Sequence, residues 1–268
     1  MMVMISAGVT SILASDALGI ILLLKTVFGT GLFAAGASVL NQYFERDLDS
    51  RMRRTARRPL PAGELTARQA LVFGVAVSVF GMLYVLLVLN LLTALLGLLT
   101  LICYVFVYTP LKTKTRLSTF VGAFPGAAPV LMGWSAATNT LSFEAWALFA
   151  ILFLWQFPHF YAIGWLYRED YARAGMLMLP SDQDDDRTTF RLILISTQLL
   201  IIVSLLFSFF AHTGKLYLAA AIILGIGFYH FAYQLSLSRS KLAAKRLLHA
   251  SVIYLPLLYL FILMDGIG

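Results

Sequence analysis

The chain has 268 residues, of which 60% are hydrophobic and only 12% charged; its mean hydropathy is +0.85 and its net charge +7. A typical soluble domain is about 25% charged, so a water-exposed globule is excluded and the bilayer is the expected solvent. The one cysteine, Cys103, lies in an apolar run, which excludes an intrachain disulfide and a cysteine-built metal cluster.

A spanning helix needs about 20 apolar residues. Hydropathy places spans near 1–14, 18–42, 67–89, 91–109, 117–137, 142–166, 189–211, 214–236 and 245–265, the first of them short. In lipid each segment must satisfy its own backbone, so the spans should be helices; a barrel would show short alternating segments instead. The expected fold is an all-α, polytopic transmembrane bundle of about nine spans, forming one integral-membrane domain over residues 1–268. The first span opens on Met1-Met-Val-Met with no basic leader and no cleavage site, so no secretory signal is expected.

Span two ends in a polar ladder, Asn41-Gln-Tyr-Phe-Glu45-Arg-Asp47-Leu-Asp49. Four residues advance a helix by about 400°, so Asn41, Glu45 and Asp49 share a face while Asp47 points elsewhere. A side-chain carbonyl and two carboxylates in a row suit Mg²⁺, which takes hard oxygen ligands and leaves part of its sphere to substrate phosphates. Arg51, Arg53, Arg54, Arg57 and Arg58 follow at once. Carboxylates beside arginines fit a metal-bridged polyphosphate, with the guanidinium forks on the remaining oxygens. The plain alternative is a solvated helix end carrying topological arginines. For the acids it is the weaker reading, because acids at the membrane end of an apolar helix are costly.

Spans four and five are joined through Tyr108-Thr-Pro-Leu-Lys112. Span six carries Pro158 and His159, and Pro158 removes a helix hydrogen bond there. If that helix continues, the eleven residues from His159 to Asp170 turn about 1,100°. They would then lie within about 20° of one face and about 16 Å apart along the axis. The loop after span six holds Arg168, Glu169, Asp170 and Arg173, then Asp182, Asp184, Asp185 and Asp186. The last four read as a solvated loop or helix N-terminus, with a metal-binding role as the alternative. His212, His230 and His249 read as structural.

Of the 20 Lys and Arg, 18 fall in alternate inter-span loops; only Lys25 and Lys215 lie elsewhere. The positive-inside rule then puts the N-terminus and both long loops in the cytoplasm and the C-terminus outside, in the cell (inner) membrane. The charge is topological, and no nucleic-acid partner is expected.

The pattern Asn41-x-x-x-Glu45-x-x-x-Asp49, followed by Arg54-Thr-x-x-Arg58-Pro-Leu-Pro, resembles the first signature of the intramembrane aromatic prenyltransferase superfamily. Its usual middle acid is Asp, where this chain has Glu45. Tyr108 to Lys112 resembles the superfamily's tyrosine-to-lysine motif. Trp155-Gln-Phe-Pro-His159-Phe, Tyr167-Arg-Glu-Asp170-Tyr-Ala-Arg-Ala-Gly175 and Met178-Leu-Pro180 are similar to the branch of protoheme IX farnesyltransferases, or heme O synthases. The match covers about residues 30–190. Members open their first span with a Lys-Pro-Arg motif, absent here, so an abbreviated start is expected.

The resemblance implies Mg²⁺ on Asn41, Glu45 and Asp49, the group read as catalytic together with Lys112. It implies a diphosphate held by Arg54, Arg58, Tyr108, Lys112 and Arg168, and a heme-side contact at His159 and Asp170. A second metal would use Glu169 and Asp170, which stand adjacent rather than four apart as the motif requires. The implied reaction is farnesyl transfer from farnesyl diphosphate to a vinyl group of protoheme IX, giving a hydroxyethylfarnesyl heme. Hand-over to a heme-modifying or oxidase-assembly protein is implied as well. The alternatives are a sister prenyltransferase acting on a quinone-precursor or chlorophyll-type acceptor and, more remotely, a membrane transporter.

Overall fold

The structure is a computed structural model that describes residues 1–15, 19–177 and 186–266. Every regular element among these residues is helical: α1 Met2–Leu13, α2 Ile20–Asp49, α3 Ala67–Val88, α4 Leu91–Ile102, α5 Thr109–Leu111, α6 Ser118–Thr138, α7 Phe143–Leu166, α8 Arg168–Arg173, α9 Asp186–Phe210, α10 Lys215–Ser238 and α11 Lys241–Asp265. A π-helical stretch, Cys103–Tyr108, joins α4 to α5 into one span, Leu91–Leu111. Among the described residues, eight helices are long and apolar enough to cross a membrane. The ninth, α1, has 12 residues, about 18 Å at 1.5 Å per residue, short of the roughly 30 Å hydrocarbon core. The bundle expected from hydropathy is therefore present, with its short first helix.

The main packing runs from α3 to α2 to α1 to α6, and from α6 to both α4 and α7. Beyond α7 lie α9, α10 and α11, with α11 returning against α7. Burial separates inner from outer helices: 67% of the α6 span is covered by protein, against 22% for α3. Lipid offers no hydrophobic drive for helix association, so close packing of small residues and interhelical hydrogen bonds must supply it. At the α2–α3 crossing Gly36 faces Ser78 and Gly74 faces Leu40, with no room for a Cβ. Gly133 on α6 lies against Ala7 and Thr10 of α1 in the same way. Thr10 Oγ1 donates to the Val130 carbonyl (3.0 Å), Asn90 Nδ2 to the Ser135 carbonyl (2.7 Å), and Tyr259 to Ser6 Oγ (3.2 Å).

At the polar end of the bundle α2 continues as helix to Asp49, past the end of its apolar run near 42, as the shared face of Asn41, Glu45 and Asp49 requires. One feature there differs from expectation: α7 does not continue to Asp170. It stops at Leu166, Tyr167 leaves the helical region (φ −113°, ψ 20°), and α8 begins as a separate helix at Arg168. The continuous-helix geometry for His159 and Asp170 is thereby corrected. The turn lets Tyr171, Ala174 and Met176 bury against Met52 and Leu48, and that apolar contact outweighs one more turn of helix. The Leu177 N–H then donates to the Lys112 carbonyl (2.8 Å). The segments after α2 and α7 thus close over the same end of the bundle.

Gly133→Val should lower thermal stability in detergent or nanodiscs by about 1–3 kcal/mol through overpacking at α1. Gly227→Ala is the control, since nothing lies near its Cβ position and alanine favours helix by about 1 kcal/mol. Equal melting temperatures for Gly133→Val and wild type would contradict the close α1–α6 contact.

Candidate active site

The site begins with the ladder on α2. Asn41, Glu45 and Asp49 are buried, whereas the Asp47 side chain is 79% exposed beside Arg46. The three inward groups differ in how they are satisfied. Asn41 Nδ2 donates to Thr109 Oγ1 (3.2 Å), which leaves its side-chain carbonyl for the pocket. Glu45 Oε1 lies 2.7 Å from Lys112 Nζ, held by charge without directed hydrogen-bond geometry. Asp49 Oδ2 accepts from Arg58 Nη1 (2.7 Å), while its Oδ1 is buried with no hydrogen-bond partner. A buried polar atom normally has a partner, so Asp49 Oδ1 is left free to accept one from a ligand. An amide carbonyl, two carboxylates and an orphaned oxygen form a donor set that fits a hard divalent cation.

Lys112 reaches the ladder because of how its span ends. Pro110 has no N–H, and the backbone before it widens into the π-helical stretch, with Thr109 N–H and Oγ1 both donating to the Tyr104 carbonyl. Such π turns recur at functional sites. Here Tyr104, Tyr108 and Lys112 rise along one face. The tyrosine rings are 5.3 Å apart and Lys112 Nζ lies 4.5 Å from the Tyr108 ring centroid. Gly122 on α6 admits the Tyr108 ring where a Cβ would clash.

Arg54 and Arg58 come from the segment after α2, which folds back: Thr55 Oγ1 donates to the Asp49 carbonyl (2.9 Å). Arg54 donates to Tyr171 Oη (3.1 Å), lies over the Tyr167 ring (5.0 Å), and its backbone N–H points at Asp170 Oδ2 (3.4 Å). The ladder, Arg54, Arg58, Tyr108 and Lys112 all line one cavity of about 220 Å³. Three cations facing two carboxylates leave a net positive charge, which suits a polyanion bound together with a divalent metal.

Two further cavities adjoin it. One, about 290 Å³, shares Tyr104, Tyr108 and Phe160 with the polar cavity and adds His159, Trp155 and Gln156. The other, about 170 Å³, is apolar, lined by Phe33, Ala34, Ala37, Leu101 and Met132, and again shares Tyr104. Tyr104 therefore stands where a charged compartment and two less polar ones meet. The sequence reading passed over it. The signal was its position four residues before Tyr108 and eight before Lys112.

The remaining expected residues fall elsewhere. Arg168 lies over the Trp165 ring (4.4 Å) and does not line the polar cavity. Asp170 is taken by Arg173 (3.0 Å) and sits behind the cavity wall. Glu169 points to the start of α11, where Lys241 Nζ lies 2.9 Å away and the Glu169 side chain is 66% exposed. The hydrogen bond and charge of Lys241 hold its carboxyl below the usual glutamate range. Glu169 and Asp170 therefore do not converge on the ladder. No group of three His, Cys, Asp or Glu suited to a metal occurs among the described residues. Asp186 begins α9 and does not line the cavity. Asp182, Asp184, Asp185 and the Met178–Pro180 motif lie outside the described residues.

Comparison with known proteins connects this arrangement to a family. The chain matches the UbiA prenyltransferase family over residues 1–256. It is 50% identical over 246 residues to a Solibacter usitatus protein named protoheme IX farnesyltransferase, covering 92% of this chain and 84% of that one. A solved structure from work on a digeranylgeranylglyceryl phosphate synthase has TM-score 0.80 at 18% identity, covering 98% of this chain and 92% of the other. A UbiA homolog from Archaeoglobus fulgidus, solved with bound DMAPP and Mg²⁺, has TM-score 0.66 at 15% identity, covering 97% and 94%. At such identities the two structures show a shared fold.

Lys112→Met should strand the buried Glu45 carboxylate and cost about 3 kcal/mol. Adding Glu45→Gln should recover most of that loss, because an amide needs no counter-charge. Thermal unfolding of the two variants checks this; equal melting temperatures would mean that the pair carries no burial cost.

Proposed function

The chain belongs to the UbiA prenyltransferase family, and from that premise we propose that it transfers a farnesyl group from farnesyl diphosphate to a vinyl carbon of protoheme IX. The observation that carries the reading is the polar cavity itself: the buried ladder of Asn41, Glu45 and Asp49 faces Arg54, Arg58 and Lys112, and the cavity adjoins two less polar spaces at Tyr104. The choice of acceptor is supported by the names of the relatives at 42–50% identity and by the placement of His159 in the adjoining cavity.

In this reading the diphosphate binds over the ladder. Arg58 and Lys112, which neutralise Asp49 and Glu45 in the ligand-free protein, turn toward diphosphate oxygens. Arg54 does the same from its seat on the Tyr167 and Tyr171 rings. Asn41 Oδ1, Glu45 and Asp49 would hold Mg²⁺, which when bound neutralises charge developing on the leaving diphosphate. The C1–O bond of the farnesyl chain ionises, and the cations stabilise the departing anion in a site that water enters poorly. The vinyl π-electrons of the porphyrin form the new C–C bond to farnesyl C1. Water captures the cation left beside the macrocycle, and loss of a proton gives the hydroxyethylfarnesyl side chain. The apolar cavity below Tyr104 suits the farnesyl tail, and the His159 cavity suits the porphyrin edge.

We further place the polar end of the bundle at the cytoplasmic side of the cell (inner) membrane, with the C-terminus outside. The basis is that 18 of the 20 Lys and Arg lie in the loops at that end. A farnesylated heme is too apolar to cross water freely, so hand-over to a heme-modifying or oxidase-assembly protein belongs to the same proposal.

Purified protein in nanodiscs, given Mg²⁺, farnesyl diphosphate and protoheme, should yield heme heavier by one farnesyl group and one hydroxyl, read by mass. Prenylation of a quinone precursor with none on heme would select the sister activity instead. Asp49→Ala should lower turnover by about 10³-fold, as loss of a preorganised charge-stabilising group does. Rates near wild type would defeat the ladder assignment.

A further inference from the structure

His159 is held by more than its own span. Its ring stacks on Trp155, with centroids 4.6 Å apart and planes 20° from parallel. Its Nδ1 lies 2.7 Å from the hydroxyl oxygen of Ser251, a fully buried residue of α11. Trp155 Nε1 donates to the backbone carbonyl of the same Ser251 (2.8 Å). One residue of α11 therefore anchors both aromatic rings on this wall of the cavity.

The proton on that contact can be assigned by counting donors. A serine hydroxyl has one proton and two lone pairs, and a neutral imidazole has one N–H. Ser251 Oγ also lies 2.7 Å from the Leu248 carbonyl, which can only accept. The serine proton must therefore point at Leu248, since otherwise two acceptor oxygens would face each other at hydrogen-bond distance. Toward His159 the hydroxyl then has only lone pairs to offer, so the imidazole proton sits on Nδ1. Nε2 is left with its lone pair. It makes no hydrogen bond to any described residue, and the ring lines the 290 Å³ cavity.

We propose that Ser251 is a positioning residue that locks His159 in the Nδ1–H tautomer and so delivers the Nε2 lone pair into the cavity as a ligand for the iron of a porphyrin acceptor. This rests on the reading of the acceptor as heme. A hydrogen bond from the second ring nitrogen is the usual device by which proteins fix the tautomer and raise the basicity of a metal-binding histidine, and its loss typically costs 10–100-fold in affinity. Threonine keeps the hydroxyl and the same backward bond to the helix carbonyl, so Ser251→Thr is the conservative rescue.

The test separates the tautomer from the function. Protein labelled with ¹⁵N-histidine is studied by NMR in bilayers without substrate, and His159 is identified by its loss in His159→Gln. Wild type and Ser251→Thr should show a protonated Nδ1 and a bare Nε2, whereas Ser251→Ala should populate both tautomers. Heme titration followed in the Soret band should then be about 10-fold weaker for Ser251→Ala and close to wild type for Ser251→Thr. Mg²⁺-dependent binding of farnesyl diphosphate should be equal in all three, which reports an intact fold. A protonated Nε2 in the wild type overturns the proposal, as does a Ser251→Ala protein with an unchanged tautomer and unchanged heme affinity. Loss of diphosphate binding in Ser251→Ala without rescue by threonine also overturns it, because the residue is then structural. If the tautomer behaves as stated while heme binding is indifferent to Ser251 and His159 alike, the iron-ligand role is overturned and the fault lies in the heme reading.

Discussion

A carboxylate taken out of water at the end of a membrane helix survives only if something nearby replaces its hydration. Glu45 and Asp49 are both buried in this way, and each holds a cation at 2.7 Å. Much of the polar end follows from those two pairs. Arg58 can reach Asp49 only if the chain after α2 folds back, which Thr55 secures by bonding to the Asp49 carbonyl. Lys112 can reach Glu45 only from a span that ends where Leu91–Leu111 ends. The segment after α7 then covers both, with Tyr171 and Met176 packed on Met52. The ion pairs therefore fix the architecture at this end of the bundle, around the place where the proposed metal and polyanion would take over the same charges. A buried pair of this kind adds little stability over a well-packed apolar one, so its presence in so apolar a chain points to ligand chemistry.

Beneath the charged layer, chemistry is divided by depth. The π-helical stretch turns Tyr104, Tyr108 and Lys112 onto one face, so a single strip of chain descends from a cation to two aromatic rings. Tyr104 borders all three cavities. A substrate with an anionic head and an apolar tail can place its head among the arginines, its tail against Phe33 and Met132, and the bond between them beside Tyr104. In the proposed reading the second substrate approaches from the side of His159, so that charge, apolar chain and acceptor each meet a surface that suits them.

Several of these features were legible before any coordinates. Composition dictated a membrane bundle, because a chain with so few charges cannot clothe itself for water, and hydropathy located the helices. The four-residue spacing of Asn41, Glu45 and Asp49 put them on one face and turned Asp47 away, since helical rotation alone decides that. The alternate-loop cations marked one end of the bundle as the polar end. Tyr104 was passed over because a tyrosine in an apolar span carries no signal until its neighbours are known.

What the sequence determined by itself were the properties set by local periodicity: which segments are helices, which side of α2 carries the acids, and which family the motifs resemble. Tertiary structure alone decided which groups meet across helices. Glu169 and Asp170 stand side by side within one motif of the sequence, yet the break at Tyr167 sends one to Lys241 and the other behind the cavity wall. Ser251, 92 residues from His159, settles the tautomer of that ring. No periodicity encodes such contacts, because they depend on the rotation and depth of one helix relative to another, and those are set by packing.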